Sequence, residues 1–216
     1  IYVDGDIFFF NDYDFLFKEL DNSSVLLTPH WRSINPDLDE VHFKILFREG
    51  MYNAGFLAIS KDGVPAMEWV AKVCLYSCAK GSFEGQYFDQ VYLDALPIYF
   101  DKVKIVKHRG CNVAIWNMVE CERVVQSDGS VLINNEYPII FIHFVSNILR
   151  EWDILLSNYL DQYLEVLKIF SVESYLKEKK SRERLPESDE PKRRSILLVL
   201  KRLLTILKLK LSLSLK

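Results

Sequence analysis

Short apolar segments bounded by turn residues alternate along this chain with stretches of helical spacing. Apolar runs of three to eight residues predict strands, whereas residues 64–79 repeat apolar side chains at helical intervals, with Pro65 in a first turn. Strands interleaved with helices favour an α/β fold whose functional groups lie at strand ends. The predicted strands are residues 1–3, 7–10, 24–28, 52–59, 103–106, 113–116, 131–133 and 139–144, and the predicted helices are residues 37–48, 64–79, 83–96 and 148–176.

Two aspartates separated by one glycine, Asp4 and Asp6, stand between the apolar segments 1–3 and 7–10. In an extended strand residues i and i+2 share a face, so both carboxylates can converge on one point. Two such charges repel each other unless a cation lies between them, and carboxylate oxygens suit Mg²⁺ or Mn²⁺ on the phosphates of a nucleotide. The alternative is a solvated turn, although apolar flanks on both sides are unusual for solvated acids.

His143 stands inside the most apolar predicted strand, IIFIHF at residues 139–144, where an unsatisfied imidazole would be costly. One interpretation is a core histidine that is hydrogen-bonded to a backbone carbonyl. In the other, this strand ends beside the Asp4–Asp6 segment and His143 is a third metal ligand. A mixed set of oxygen and nitrogen ligands suits Mn²⁺ better than Mg²⁺.

Four segments in matching order carry a resemblance to a known family: YVDGDIFFF, YNAGFLAI, YFDQVYLDALP and IIFIHF. Across residues 1–146 the chain resembles nucleotide-diphospho-sugar glycosyltransferases of the GT-A fold, above all family eight and allied bacterial polysaccharide and lipopolysaccharide transferases. The resemblance implies a Rossmann-like mixed sheet flanked by helices, an N-terminal half preceding residue 1, and hexose transfer to a glycan or lipid-linked acceptor. It also implies that Asp4, Asp6 and His143 hold Mn²⁺, or Mg²⁺, on the diphosphate of the donor.

The resemblance further assigns the donor-sugar site. Asn53 corresponds to a donor-sugar contact, with Gly55 permitting close approach, and Asp89 and Gln90 correspond to a catalytic pair beside that sugar. A carboxylate there can hydrogen-bond sugar hydroxyls, and a neutral amide can stabilise positive charge at the anomeric carbon. Asp89 is the candidate base if the enzyme inverts, and Gln90 the group nearest the reaction if it retains. The family's second acid after this pair is replaced by Val91.

Two polar and aromatic groups are candidate acceptor contacts. His30, Trp31 and Arg32 follow a strand end, where an aromatic ring can stack on a sugar and a guanidinium can meet an anion. Asn112 and Trp116 form the second group. For both groups the alternative is an ordinary loop or turn whose tryptophan packs on the core.

Charge is distributed unevenly along the chain, with a basic segment at the end of the sequence and an acidic remainder. Residues 192–216 hold five lysines and three arginines without an acid, so that the rest of the chain, whose total is −3, carries −11. We expect a catalytic domain over residues 1–147, a helical extension over 148–176, a charged linker over 177–194 and a basic amphipathic segment over 195–216. That last segment predicts contact with an anionic membrane surface, with packing on a protein as the alternative. It lacks the aromatic residues typical of nucleic-acid binding.

Composition and motifs also bear on location and on rival functions. The four cysteines include no CxxC pair, and no apolar run reaches the length of a bilayer span, which favours a cytoplasmic protein peripheral to the membrane. A sugar-nucleotide or carbohydrate-binding protein without turnover is the main alternative to an enzyme. A metal-dependent phosphohydrolase is less favoured, because the segment DGDIF lacks the Thr or Val that such a motif would carry.

Overall fold

The computed structural model describes residues 1–78, 88–145 and 153–169, which form a mixed α/β structure. The strands are Tyr2–Val3 (β1), Ile7–Phe9 (β2), Val25–Pro29 (β3), Tyr52–Ile59 (β4), Val103–Ile105 (β5), Arg123–Val125 (β6), Val131–Ile133 (β7), Tyr137–Pro138 (β8) and Phe141–His143 (β9). The α-helices are Asp14–Leu20 (α1), Glu40–Glu49 (α2), Val64–Tyr76 (α3), Gln90–Leu93 (α4), Leu96–Tyr99 (α5) and Ser157–Ile169 (α6).

The central sheet has four strands in the order β1-β4-β3-β5. Strands β1 and β3 pair antiparallel with β4, whereas β5 pairs parallel with β3. The register of β3 against β4 is interrupted, because Leu27 lies opposite Leu57 but the next residue, Thr28, lies opposite Asn53. Such irregularities bend a strand and re-aim its side chains. This one falls beside the segment that carries the aspartates.

The strand that carries His143 pairs with the strand that follows the aspartates. In this antiparallel pair, β2-β9, Ile7 lies opposite His143, and the backbone N–H of Phe144 donates to the carbonyl of Asp6 at 2.7 Å. The rings of Phe56 in β4 and Phe141 in β9 stack with centroids 5.1 Å apart, which packs the pair against the central sheet. The segment that carries Asp4 and Asp6 therefore lies beside the strand that carries His143, although the two are far apart in sequence. Strands β6, β7 and β8 form a separate antiparallel sheet.

Contacts divide the chain into a compact unit, Ile1–Leu167, and a second unit, Lys168–Lys216. The first unit contains most of α6, whose Tyr163 stacks on Phe144 with ring centroids 4.3 Å apart. The described part of the expected catalytic region and residues 153–167 of the expected helical extension thus share one compact unit. The expected linker at 177–194 and basic segment at 195–216 lie outside the described residues. Within the described ranges, no helix combines the length and apolar character needed to cross a membrane.

The predicted strand at residues 113–116 is wrong. Val113 makes a single parallel bridge with Ile142, and Ile115–Asn117 is a 3₁₀ turn. The side chain of Asn117 explains the turn, because its Oδ1 accepts a hydrogen bond from the backbone N–H of Ala114 at 3.1 Å. Such local side-chain bonds compete with strand pairing.

The predicted helix at residues 83–96 also differs from the structure in its described part. Two short helices, α4 and α5, replace it, and Pro97 lies in the first turn of α5 instead of ending a helix. Proline is well suited to that position, where its missing N–H has no partner within the helix. Residues 79–87 lie outside the described part of the chain.

Candidate metal centre and cleft

Asp4 and Asp6 lie in a turn between β1 and β2, and not in the extended strand that the sequence predicted. The backbone N–H of Ile7 donates to the carbonyl of Asp4 at 3.1 Å, and the N–H of Asp4 donates to the carbonyl of Gly55 at 2.8 Å. The predicted convergence of the two carboxylates nevertheless holds, because the turn directs both toward the same histidine.

His143 is that histidine. Its Nε2 lies 3.1 Å from Oδ1 of Asp6 and 4.0 Å from Oδ2 of Asp4. One ligand atom from each of the three residues lies within 4.8 Å of the others. The His143 side chain is 8% exposed, whereas those of Asp4 and Asp6 are 41% and 30% exposed, so an ion could enter from the carboxylate side. Two carboxylates and an imidazole at this spacing form a donor set that suits Mn²⁺ or Mg²⁺.

The other ring nitrogen of His143 contacts a buried asparagine. Nδ1 of His143 lies 3.1 Å from Oδ1 of Asn53, which also accepts the backbone N–H of Gly55 at 3.0 Å. Nδ2 of Asn53 lies 3.2 Å from Nε2 of His30, whose Nδ1 lies 3.1 Å from the carbonyl of Gly50. Burial, and then the charge of Arg32, hold the pKa of His30 well below its usual range. His30 is therefore neutral at physiological pH.

The side chains beside the candidate metal ligands line a cleft of about 280 Å³. It brings together most of the residues that the sequence and the resemblance singled out, including both members of the predicted catalytic pair. Trp116 lies on its wall, with Nε1 donating to the carbonyl of His30 at 3.0 Å and the ring edge-on to His143. Predicted residues that line the cleft are Asp4, His30, Arg32, Asn53, Gly55, Asp89, Gln90, Trp116 and His143.

Asp89 and Gln90 stand at the start of α4, which packs closely on the loop between α2 and β4. A Cβ at Gly50, whose φ is +93°, would lie 3.3 Å from the carbonyl oxygen of Gln90. Asp94 in the same segment accepts the backbone N–H of Met51 at 2.9 Å. This bond and this close contact hold α4, and with it the predicted catalytic pair, against the cleft.

Two predicted acceptor contacts, Trp31 and Asn112, do not line the cleft. Both have left-handed backbones, with φ of 53° and 65°, which turn their side chains elsewhere. The Trp31 ring packs in the core cluster beneath β9, and the guanidinium carbon of Arg109 lies 4.2 Å from its ring centroid. The Asn112 side chain is buried and donates to the carbonyl of Pro29 at 3.1 Å. Both residues therefore stabilise the loops around the cleft.

Two polar cleft residues, Tyr2 and Glu49, were missed at the level of sequence. The hydroxyl of Tyr2 donates to Oδ1 of Asp4 at 2.7 Å, and this bond and the charge of Asp4 raise the pKa of Tyr2. Its i, i+2 relation to Asp4 in a strand was the available signal. Glu49 accepts a hydrogen bond from Nη2 of Arg32 at 2.9 Å, in a buried ion pair. No sequence signal joins these two residues, because only the fold brings α2 against the end of β3.

Comparisons with known proteins give two relatives and no family. No family model matches the chain, and no solved structure does. The uncharacterized protein YfnF of Bacillus subtilis (strain 168) is 32% identical over 146 residues, which cover 66% of this chain and 48% of that protein. The uncharacterized protein YfnD of the same organism is 33% identical over 147 residues, covering 66% and 45%. The chain thus spans about half the length of the curated relatives that it matches.

Proposed function

We propose that this protein is a metal-dependent glycosyltransferase of the GT-A type, which transfers a hexose from a nucleotide-diphosphate sugar to a glycan or lipid-linked acceptor. One observation carries the proposal: the four segments of the resemblance, far apart in sequence, contribute side chains to one cleft. If the resemblance were accidental, we would not expect these segments to lie together. The residues in question are the Asp4–Asp6 turn, Asn53, the Asp89–Gln90 pair and His143.

The proposed metal ligands are Asp4, Asp6 and His143. A divalent ion, Mn²⁺ or Mg²⁺, would neutralise charge on the leaving nucleotide diphosphate, so that this group needs no proton as the glycosidic bond breaks. Tyr2 supports the arrangement, because its hydroxyl orients one carboxylate of the set. Both aspartate side chains are partly exposed, so that a diphosphate could reach them.

Asp89 and Gln90 are the proposed catalytic pair. In an inverting reaction, an oxygen of the acceptor hydroxyl bonds to the anomeric carbon, the bond from that carbon to the diphosphate oxygen breaks, and Asp89 takes the hydroxyl proton. In a retaining reaction, Gln90 would stabilise positive charge at the anomeric carbon. Of the proposed acceptor contacts, Trp116 forms part of the cleft wall on which an acceptor could rest, whereas His30 and Arg32 line the cleft but are almost fully buried.

The proposed cellular setting is the inner face of the membrane, with residues 195–216 as a peripheral contact for anionic lipid. The supporting feature is the basic, leucine-rich sequence of that segment. Lipid-linked acceptors would make such a location useful for polysaccharide assembly.

Product analysis with a donor panel tests the function. The full-length protein is incubated with several nucleotide-diphosphate sugars in Mn²⁺ and then in EDTA, and released sugar and nucleotide are identified by mass spectrometry. We expect turnover only with metal, and a loss on the order of 100-fold in Asp6→Asn, because charge stabilisation of this kind is worth that much. The matched control is Asp12→Asn, an exposed aspartate that follows β2.

Two outcomes would contradict the proposal in different ways. Donor binding without turnover in any condition would favour the non-catalytic sugar-nucleotide-binding protein. Turnover that persists unchanged in Asp6→Asn or in EDTA would remove the metal from the proposed chemistry.

A further inference from the structure

We propose that His30 and Asn53 are positioning residues that hold His143 in its Nδ1–H tautomer, so that the Nε2 lone pair faces the two aspartates. The inference rests on the metal site of the proposed function and gives Asn53 a different role from the donor-sugar contact implied by resemblance. It follows from a chain of hydrogen bonds in which each partner determines the next proton.

The chain of hydrogen bonds begins at a backbone carbonyl. The carbonyl of Gly50 can only accept, so Nδ1 of His30, 3.1 Å away, carries a proton. Because His30 is buried and neutral, its Nε2 is then an acceptor. The Asn53 atom 3.2 Å from that Nε2 must therefore be the amide nitrogen, which donates.

The backbone of Gly55 gives the same orientation independently. Its N–H, a donor, lies 3.0 Å from the other amide atom of Asn53, which must be the oxygen. That same oxygen lies 3.1 Å from Nδ1 of His143, so Nδ1 of His143 must donate to it and carries a proton. Two separate backbone groups, a carbonyl and an N–H, thus both place a proton on Nδ1 of His143.

The proton on Nδ1 leaves Nε2 of His143, the proposed metal-binding nitrogen, free to act as a ligand. In the neutral Nδ1–H tautomer, Nε2 of His143 has a lone pair directed at Oδ1 of Asp6, 3.1 Å away. Two lone pairs at this distance repel each other unless a cation lies between them. The hydrogen-bond chain therefore prepares the imidazole as a ligand, as outer hydrogen bonds do for metal-bound histidines generally.

Trp116 and burial keep this arrangement intact. The indole ring lies edge-on to both His30 and His143, with centroid distances of 5.8 and 5.3 Å. His30 and Asn53 are 1% and 6% exposed, so water has little access to compete for their hydrogen bonds. The ring orientations are thus held by packing as well as by hydrogen bonds.

Nitrogen NMR of the metal-free protein tests the tautomer directly. Long-range ¹H–¹⁵N correlations are recorded at about pH 8.5, well above the ordinary histidine pKa of about 6.5, and the His143 signals are assigned by their loss in His143→Gln. We expect a protonated Nδ1 and an unprotonated Nε2. A protonated Nε2 in the wild-type protein overturns the proposal.

Two substitutions at one position separate positioning from mere packing. His30→Leu removes the acceptor for Asn53, and we expect Mn²⁺ to bind about 10–100-fold more weakly, as is usual when an outer partner is lost. His30→Gln keeps a donor and an acceptor, so it should retain the affinity and the His143 tautomer to a larger extent. The control is His108→Leu, which removes a half-buried imidazole elsewhere and should leave Mn²⁺ affinity unchanged.

The outcomes distinguish this inference from the proposed function. If His30→Leu is folded by thermal melting yet keeps both the tautomer and the Mn²⁺ affinity of the wild type, the positioning role is wrong. If Asp6→Asn binds Mn²⁺ as tightly as the wild type, the metal site fails, whereas the tautomer measured without metal still decides the hydrogen-bond chain.

Discussion

At the scale of single residues, Gly55 decides how closely β4 can approach the proposed metal ligands. A Cβ at this position would lie 2.5 Å from Cε1 of His143, 2.7 Å from Oδ1 of Asn53 and 3.0 Å from Oδ2 of Asp4. Side chains in native packing are separated by more than this, so one of them would have to move. The absence of a side chain at Gly55 thus makes room for the side chains of Asp4, Asn53 and His143.

We therefore expect Gly55→Ala to damage the site more than the fold. Displacement of the His143 ring should weaken Mn²⁺ binding on the order of tenfold or more, and overpacking should cost about 1–3 kcal/mol in the free energy of unfolding. Isothermal titration and urea denaturation measure these two quantities. Gly5→Ala is the matched control, because a Cβ there meets nothing within 4 Å. Equal losses in the two variants would show that the contact with His143 is not the cause.

A second prediction at this scale concerns Asp39, the residue before α2. Its Oδ1 accepts the backbone N–H of His42 at 3.0 Å. Burial alone would raise the pKa of Asp39, but the hydrogen bonds from His42 outweigh it and lower the pKa. A lowered pKa means that this stabilisation is complete above the unfolded value of about 3.9 and is lost as the pH falls through the folded value.

The stability of Asp39→Ala should accordingly depend on pH. Near pH 7 we expect a loss of about 1 kcal/mol in the free energy of unfolding, the usual worth of a helix cap. The difference from the wild type should shrink near pH 3, about one unit below the unfolded pKa. Urea denaturation at both pH values checks this, with the exposed Asp37→Ala as control. A constant difference at both pH values would contradict the charge-dependent part.

At the scale of elements, the buried ion pair of Arg123 and Asp153 holds the turn that presents Trp116 to the cleft. Nε of Arg123 lies 2.6 Å from Oδ2 of Asp153, and both side chains are nearly inaccessible. Nη2 of Arg123 donates to the carbonyl of Ala114 at 2.7 Å, and Nη1 to that of Asn117 at 3.3 Å. One guanidinium thus joins β6, the 3₁₀ turn and the segment that leads into α6.

Arg123→Met should be among the most destabilising single changes, at about 3–5 kcal/mol, because it leaves a buried carboxylate without its partner. Lys44→Met, which breaks the exposed pair of Lys44 with Glu40, should cost less than about 1 kcal/mol. Urea denaturation of both variants measures the difference. Similar losses for the buried and the exposed pair would contradict the structural role of Arg123.

Elements were easier to predict than the places where they meet. The bounds of β4 were predicted to the residue, because Tyr52–Ile59 is a long apolar run with strong strand propensity. The strand at 113–116 was wrong, because one hydrogen bond from the backbone N–H of Ala114 to Oδ1 of Asn117 overrides local propensity there.

In the site, too, the residues were easier to predict than the contacts between them. That Asp4 and Asp6 converge was predictable from their spacing, but the turn that achieves it depends on a bond to Gly55 in another strand. Trp31 was misassigned to the cleft for a similar reason. Its left-handed backbone, which turns the ring into the core, is a property of the folded loop and has no signature in residue type.

At the scale of the whole molecule, α6 belongs to the same hydrophobic core as the strand that carries His143. The rings of Tyr163 and Phe144 stack with planes 3° apart, and Tyr159 packs edge-on against Phe10 beside β2. The described part of the chain up to residue 167 should therefore unfold as one cooperative unit.

The substitution Tyr163→Ala tests whether α6 and the strands of the site unfold together. We expect a loss of about 3 kcal/mol, typical of removing a large aromatic side chain from a core. Unfolding followed by far-ultraviolet circular dichroism and by tryptophan fluorescence should still give coincident transitions, displaced to lower denaturant. Asp161→Ala, on the exposed side of the same helix, should leave the midpoint unchanged. Separate transitions for the two probes would show that α6 folds independently of the site.

The pairing of β2 with β9 also orders events during synthesis. Asp4 and Asp6 leave the ribosome before His143, which lies opposite Ile7 and is made only after the intervening strands and helices. Pairings this distant in sequence form late, because the chain between them must first be ordered. A nascent chain therefore presents two carboxylates without their imidazole, and the metal site that we propose would be complete only once β9 is in place. Metal binding at the proposed site would thus report that β2 and β9 have paired.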